Sequence, residues 1–196
     1  MKSTDEIYCE VCNENRGINI ATLKHVITLA VEIAREGREG RKIGTLFVVS
    51  DSEEVLKYCR SLILDPLYGH PDHLKQIDDA EMRETIKELA QLDGAFLVSD
   101  AGIVAAACQH IGAPSEGIVL PLGLGSRHVA AAAITRATNA VAVVVSESSV
   151  VRIFDDGELI SEIIPELWMF RRYSSHLRGP VSERAEEELT VLSKSE

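Results

Sequence analysis

At 196 residues the chain is long enough for one good-sized core and short for two, so a single domain with terminal extensions is expected. Apolar residues make up 45% and charged residues 26%, inside the globular range, which argues against general disorder. A formal charge of −11 argues against a nucleic-acid binder, which works through clustered lysine and arginine, yet leaves room for an anionic small ligand held by a few local cations.

Residues 1–18 are polar and without period, and read as a tail or linker. They carry Cys9 and Cys12; no second pair follows at zinc-site spacing, and Cys59 and Cys108 sit in apolar patterns, so all four thiols read as buried or incidental. With no signal peptide and no apolar run of transmembrane length, the chain is expected to be reduced, cytoplasmic and free of the membrane.

From Asn19, the apolar positions Ile20, Leu23, Ile27, Val31 and Ala34 recur at helical spacing and predict an amphipathic helix closed near Gly37 or Gly40. Residues 43–50 are short, β-branched and apolar, as in a strand buried on both faces. Asp51 and Ser52 are placed to cap a helix running through Val55, Leu56 and Cys59. Residues 64–75, with Pro66, Gly69 and Pro71, read as a loop, and 79–92 as a helix.

A hairpin is expected over 95–108 with its turn at Asp100-Ala101-Gly102, then a brief strand at 117–120. A glycine loop at 123–126 feeds a helix over about 127–138. Strands follow at 140–146, 150–154 and 158–164, the last two joined by Asp155-Asp156-Gly157. Interleaved helices and strands predict an α/β single domain, a central mixed sheet flanked by helices, over residues 19–164. After Pro165 the aromatic and charged composition predicts a helical extension over 165–196.

Two segments about thirty residues apart carry the chemistry. Gly123-Leu124-Gly125-Ser126-Arg127-His128 offers glycine backbone, a hydroxyl, a guanidinium and an imidazole at a helix N-terminus, where free N–H groups and the helix dipole favour an anion. Ser126 capping the helix would account for the same residues. Asp93-Gly94-Ala95 sets a carboxylate where a helix gives way to a strand, suited to Mg²⁺ or Mn²⁺ or to orienting a hydroxyl; taken alone it is an ordinary turn. Ser146-Glu147 emerges at the carboxyl end of an apolar strand, where α/β sheets gather ligands, or where a strand simply runs into solvent.

In this order and spacing the three segments closely resemble the diadenylate cyclase family, whose catalytic domain also stands at the N-terminus of the bacterial DNA-integrity scanning protein. The family's Asp-Gly-Ala, Gly-(Ser/Thr)-Arg-His and Val-Ser-Glu motifs read here as Asp93-Gly94-Ala95, Gly125-Ser126-Arg127-His128 and Val145-Ser146-Glu147. The resemblance implies condensation of two ATP into cyclic di-AMP with release of two pyrophosphates, across two domains that face one another, so that self-association is required. It also implies Mn²⁺ or Mg²⁺ as cofactor.

Carried over by position, Asp93 would hold the metal or prepare the 3′-hydroxyl, with Glu147 assisting the metal. Gly94 and Ala95 would shape the nucleotide pocket, and Gly123, Gly125, Ser126, Arg127, His128 and Ser146 would bind ATP, Arg127 and His128 serving catalysis at its phosphates. Many bacterial members continue the phosphate motif as Arg-His-Arg; here Val129 takes the third place. With Gly69-His70-Pro71 upstream, that short form resembles the archaeal branch. The alternative is a sensor that binds ATP or a cyclic dinucleotide without turnover.

Overall fold

Two β-branched runs form the centre of the sheet. Strands β1 (Thr45–Val49) and β5 (Val141–Val145) are buried at every position and pair antiparallel, Thr45 opposite Val145. The computed structural model describes residues 17–165, 181–186 and 189–194. Residues 1–16, with Cys9 and Cys12, and residues 166–180, with Trp168 and Phe170, lie outside the described residues.

In chain order the elements are α1 (Ile20–Glu36), β1, α2 (Ser52–Leu56), β2 (Cys59–Ser61), a 3₁₀ turn (Asp72–Leu74), α3 (Ala80–Leu89), β3 (Ala95–Val98) and β4 (Val104–Ile111). They continue with α4 (Ser126–Ala137), β5, β6 (Val151–Asp155), β7 (Glu158–Ile164), β8 (Val181–Glu186) and β9 (Leu189–Lys194). The strands form one mixed sheet in the order β2-β4-β3-β1-β5-β6-β7-β9-β8, in which only β1 and β3 run parallel.

Side chains alternate between two cores. Phe47, Val49, Val143 and Ile153 meet α1 and α3 on one face, and Phe47 stacks on Phe96 with ring centroids 5.2 Å apart. Leu46, Val48, Val144 and Phe154 meet α4 on the other, where Ala131 and Ala132 let the helix lie close to the sheet. The expected α/β domain with a central mixed sheet is what the chain forms. Helix α1 begins with Asn19 Oδ1 accepting from Ala21 N at 3.0 Å and ends at Gly37 (φ 60°), one of the two closing glycines anticipated from the sequence. Asp79 caps α3 by accepting from Met82 N at 2.9 Å.

Elsewhere tertiary contacts override local pattern. Asp51 makes no side-chain cap; its backbone is left-handed (φ 49°) and its carboxylate accepts from Asn139 N at 2.8 Å, tying α2 to the end of α4. Helix α2 stops at Leu56, so Cys59 lies in edge strand β2 rather than in the helix. Residues 117–120 form no strand: Ile118 and Leu120 pack on the α4 side of the core from irregular backbone, while Val119 is exposed.

The helical extension expected over 165–196 is also corrected. Its described residues form the hairpin β8–β9, added to the sheet through β9 on β7. Strand β7 would otherwise present unpaired N–H and C=O groups along its edge, and Val191 is a β-branched residue that favours such pairing.

The β3–β4 hairpin forms with its turn closed by Gly102 N donating to Ser99 O at 2.9 Å, and it is irregular at its far end. There Cys108 has φ +54° and Gly94 has φ +114°, and a Cβ on Gly94 would lie 2.5 Å from the Cys108 carbonyl carbon. No side chain fits, so Asp93 is carried into position by a glycine that the sheet itself demands. Gly94→Ala is expected to destabilise the fold by about 2 kcal/mol or more, combining backbone strain with the clash, as a lowered urea midpoint at unchanged slope.

Candidate active site

The three motif segments meet at one end of the sheet. Gly44 precedes β1, Asp93-Gly94 precedes β3, Ser146-Glu147 follows β5, and β5 runs antiparallel to β1, so these positions share an edge. The site therefore stands at the amino ends of β1 and β3 and at the carboxyl ends of β5 and β4. A mixed sheet departs in this way from the carboxyl-end rule of parallel sheets.

Helix α4 points its N-terminus at this edge. Its N-cap is Gly125, which makes no side-chain cap bond and would meet nothing within 4 Å were a Cβ present. Ser126 is the first helical residue, so it does not cap the helix; His128 N donates to Gly125 O at 3.0 Å, which leaves the N–H groups of Ser126 and Arg127 for an anion. Gly123, at φ +95°, turns the loop into the helix.

Arg127 lies between two carboxylates. Its Nη2 is 3.4 Å from Asp93 Oδ1 and its Nη1 is 3.5 Å from Glu147 Oε1; the carboxylate side chains are 81% and 70% exposed, against 36% for Arg127. Contacts this long and this wet contribute at most about 1 kcal/mol each, so the guanidinium is steered rather than locked. Gly44 makes the arrangement possible: a Cβ there would sit 2.8 Å from Arg127 Nη1 and 3.2 Å from Glu147 Cγ. The β1 sequence suggested a buried strand, but nothing in the local pattern revealed this tertiary contact.

Three cavities share Arg127. The largest, about 470 Å³, is walled by Leu46, Ala130 and Ala133 below Asp93, Gly94 and Ala95, with Gln109 and Ile111 of β4 opposite, an apolar volume in the range of small-molecule sites. Val129 faces this cavity, so the residue that departs from the Arg-His-Arg pattern adds apolar wall where an arginine would add charge. A second, of about 230 Å³, is lined by Gly123, Gly125, Ser126, His128, Ser146 and Glu147. A third, of about 220 Å³, lies between residues 38–44, the end of α3, and Asp93 with Glu147.

His128 behaves differently from its neighbour. It is 6% exposed, sets its ring edge-on to Phe154 at 6.1 Å, and brings Nε2 within 3.5 Å of Arg152 Nη1, whose Nε donates to Glu162 Oε1 at 2.7 Å. The imidazole thus sits beside a buried ion pair, and His128 also lines the second cavity. Ser146 Oγ lies 2.9 Å from Ser148 Oγ within the β5–β6 turn.

Asp93 and Glu147 are the acidic residues available to a cation. Among the described residues no group of three or more His, Cys, Asp or Glu could hold a metal. Two exposed carboxylates suit Mg²⁺ or Mn²⁺, hard ions that complete their shells with water and substrate phosphate. Cys59 and Cys108 take no part: burial pushes the Cys59 thiol up to about 11, and burial, then the nearby Asp65 charge, raises Cys108.

With this geometry in view, the relatives are informative. The family described as "DAC: DisA bacterial checkpoint controller nucleotide-binding" matches residues 32–159. A diadenylate cyclase of Methanocaldococcus jannaschii is 46% identical over 145 residues, 74% of this chain and 46% of its own length. One of Haloferax volcanii is 39% identical over 147 residues, 74% of this chain and 54% of its own. The chain thus spans about half the length of these curated relatives. A solved structure from Bacillus cereus, described as a hypothetical membrane spanning protein, superposes with a TM-score of 0.51 at 21% identity over 69% of this chain and 60% of its own, a likeness of fold. Among the described residues of this chain no helix is long and apolar enough to cross a membrane.

Because the atom that Gly44 avoids is the flexible end of Arg127, Gly44→Ala should displace the guanidinium without unfolding the chain. The expected result is a melting temperature within a few degrees of wild type, as for a change under about 0.5 kcal/mol, and affinity for pyrophosphate, as a probe anion, lowered about tenfold in a titration.

Proposed function

This chain belongs to the diadenylate cyclase nucleotide-binding family, and from that membership we propose that it condenses two ATP into cyclic di-AMP and two pyrophosphates. The observation that carries the reading is the convergence of Asp93 and Glu147 on Arg127, which with Asp93 lines a 470 Å³ cavity beside an uncapped helix N-terminus. The catalytic unit is taken as residues 19–164, within which the family match at 32–159 falls.

In this reading the nucleoside enters the large cavity, and Leu46, Ala130 and Ala133 exclude water from one side of it. The α-phosphate meets the N-terminus of α4, where the free N–H groups, Ser126 and Arg127 supply donors and positive charge while Gly125 keeps the approach open. His128, braced by Arg152, offers the phosphates a donor from the second cavity, which Gly123 and Ser146 also line. Gly94 and Ala95 shape the entrance.

The 3′-oxygen of one ATP bonds to the α-phosphorus of the other. The bond from that phosphorus to the bridging oxygen breaks, and pyrophosphate leaves with the electron pair. The hydroxyl proton passes to Asp93 and on to water. A second such exchange closes the ring. Asp93 and Glu147 would hold Mg²⁺ or Mn²⁺, which when bound neutralises triphosphate charge and polarises the phosphoryl oxygens. Each nucleotide must meet the other's phosphorus, so a second copy of the chain presents its own site face to face. ATP as substrate also favours a cytoplasmic setting.

Incubation of the purified protein with ATP and Mn²⁺ or Mg²⁺ should yield cyclic di-AMP by mass spectrometry, and EDTA should abolish it. Asp93→Asn should lower turnover at least about 100-fold, the scale of a lost proton acceptor, with the melting temperature retained because Asp93 is exposed. No product from an oligomer that binds ATP tightly under both metals would replace this reading with that of a sensor.

A further inference from the structure

The third cavity is lined by four cations, and their engagements differ. Arg38 donates through Nε to Glu88 Oε1 at 2.7 Å and through Nη2 to Glu84 at 3.4 Å, while Arg127 is shared between Asp93 and Glu147. Arg41 and Lys42 are exposed and make no ion pair among the described residues. In a chain of net charge −11, these two adjacent exposed cations beside the cavity are available to an anion.

The backbone beneath them is held firmly. Arg41 N donates to Arg38 O at 2.8 Å and Arg38 N to Arg41 O at 2.9 Å, closing a tight turn with Glu39 at φ +50° and Gly40 at φ +74°. Gly37 closes the base: a Cβ there would lie 2.2 Å from Arg41 O. The turn is fastened to α3 through Arg38, so Arg41 and Lys42 rise from a fixed platform with their side chains available. Asp93 and Arg127 line both this cavity and the nucleoside-sized one, so the two spaces are neighbours across the reacting centre.

We propose that Arg41 and Lys42 bind the β- and γ-phosphates of ATP, the portion released as pyrophosphate, and so supply the cationic grip that Val129 does not. The proposal rests on the diadenylate cyclase reading. When the bond from the α-phosphorus to the bridging oxygen breaks, the electron pair and its charge move onto pyrophosphate. Cations at that end stabilise the leaving group, while Arg127 and the helix N-terminus hold the α-phosphate. Asp93 and Glu147 border the same cavity and repel a triphosphate, which the two cations offset.

The test compares wild type with Arg41→Gln, Lys42→Gln and the double variant, all at exposed positions. Steady-state turnover gives KM for ATP, and inhibition by added pyrophosphate gives its Ki. Each single change should raise both constants about tenfold, and the double change more, with AMP binding by calorimetry unaltered. Arg41→Lys should recover part of the loss. Unchanged KM and Ki in the double variant, with wild type active, would overturn the proposal and leave the cyclase reading intact. If wild type makes no cyclic dinucleotide, the cyclase reading fails by itself; displacement of a fluorescent ATP analogue by pyrophosphate then decides. Loss of that displacement in the double variant supports the phosphate site, and its retention overturns it.

Discussion

The site turns on one cation shared by two carboxylates. Arg127 is the second residue of α4, so its backbone is set by the packing of that helix on the sheet, while its guanidinium spans Asp93 before β3 and Glu147 after β5. Three separate stretches of chain meet only because β3, β1 and β5 are neighbours in the sheet. Glycine occupies the two points of closest approach: at Gly94 the backbone of β4 leaves no room for a side chain, and at Gly44 the Arg127–Glu147 contact leaves none. The geometry of the candidate site is thus a consequence of strand order and missing Cβ atoms more than of strong polar bonds.

Weak contacts suit this position. An Arg127 locked in short, buried, bidentate pairs would have to lose them before meeting a phosphate, and would leave uncompensated buried charges behind. At 3.4 and 3.5 Å, with both carboxylates in water, release costs little. The same carboxylates, once uncovered, are the groups a hard cation arriving with a triphosphate would take. His128 is the contrasting case. It is buried against Phe154 and beside the Arg152–Glu162 pair, so its place is fixed by the core and a change there disturbs packing as well as chemistry.

What could be read from the sequence was local or periodic. The runs Thr45–Val49 and Val141–Val145 announced buried central strands because β-branched residues without alternation fit a sheet covered on both faces. The helices from Asn19 and Asp79 announced themselves by apolar period, and their caps act within three residues. Asp51 looked the same but bonds to Asn139, 88 positions away, and no window could reveal that. Ile118-Val119-Leu120 had strand composition without a strand partner, and β8–β9 had partners without an evident strand pattern, since pairing with β7 is a tertiary event. Of the site, Asp93, Arg127 and Glu147 were legible as motif residues. Gly44, Arg41 and Lys42 were not, since their relevance lies in contacts and cavities that unite distant segments.

The substitution of valine in the third place of the phosphate motif can be understood in the same terms. Position 129 faces the large cavity, whose apolar wall includes Leu46, Ile111, Ala130 and Ala133, so an uncharged side chain extends that apolar surface. An arginine in that wall would have to send its guanidinium back toward Arg127, where like charges already require Asp93 and Glu147 to balance them. In the proposed arrangement the cations on the turn before β1, Arg41 and Lys42, would instead meet the phosphates from the cavity that Asp93 and Glu147 also border. Moving positive charge from the helix to that turn preserves the balance of a polyanion site while making the nucleoside wall drier.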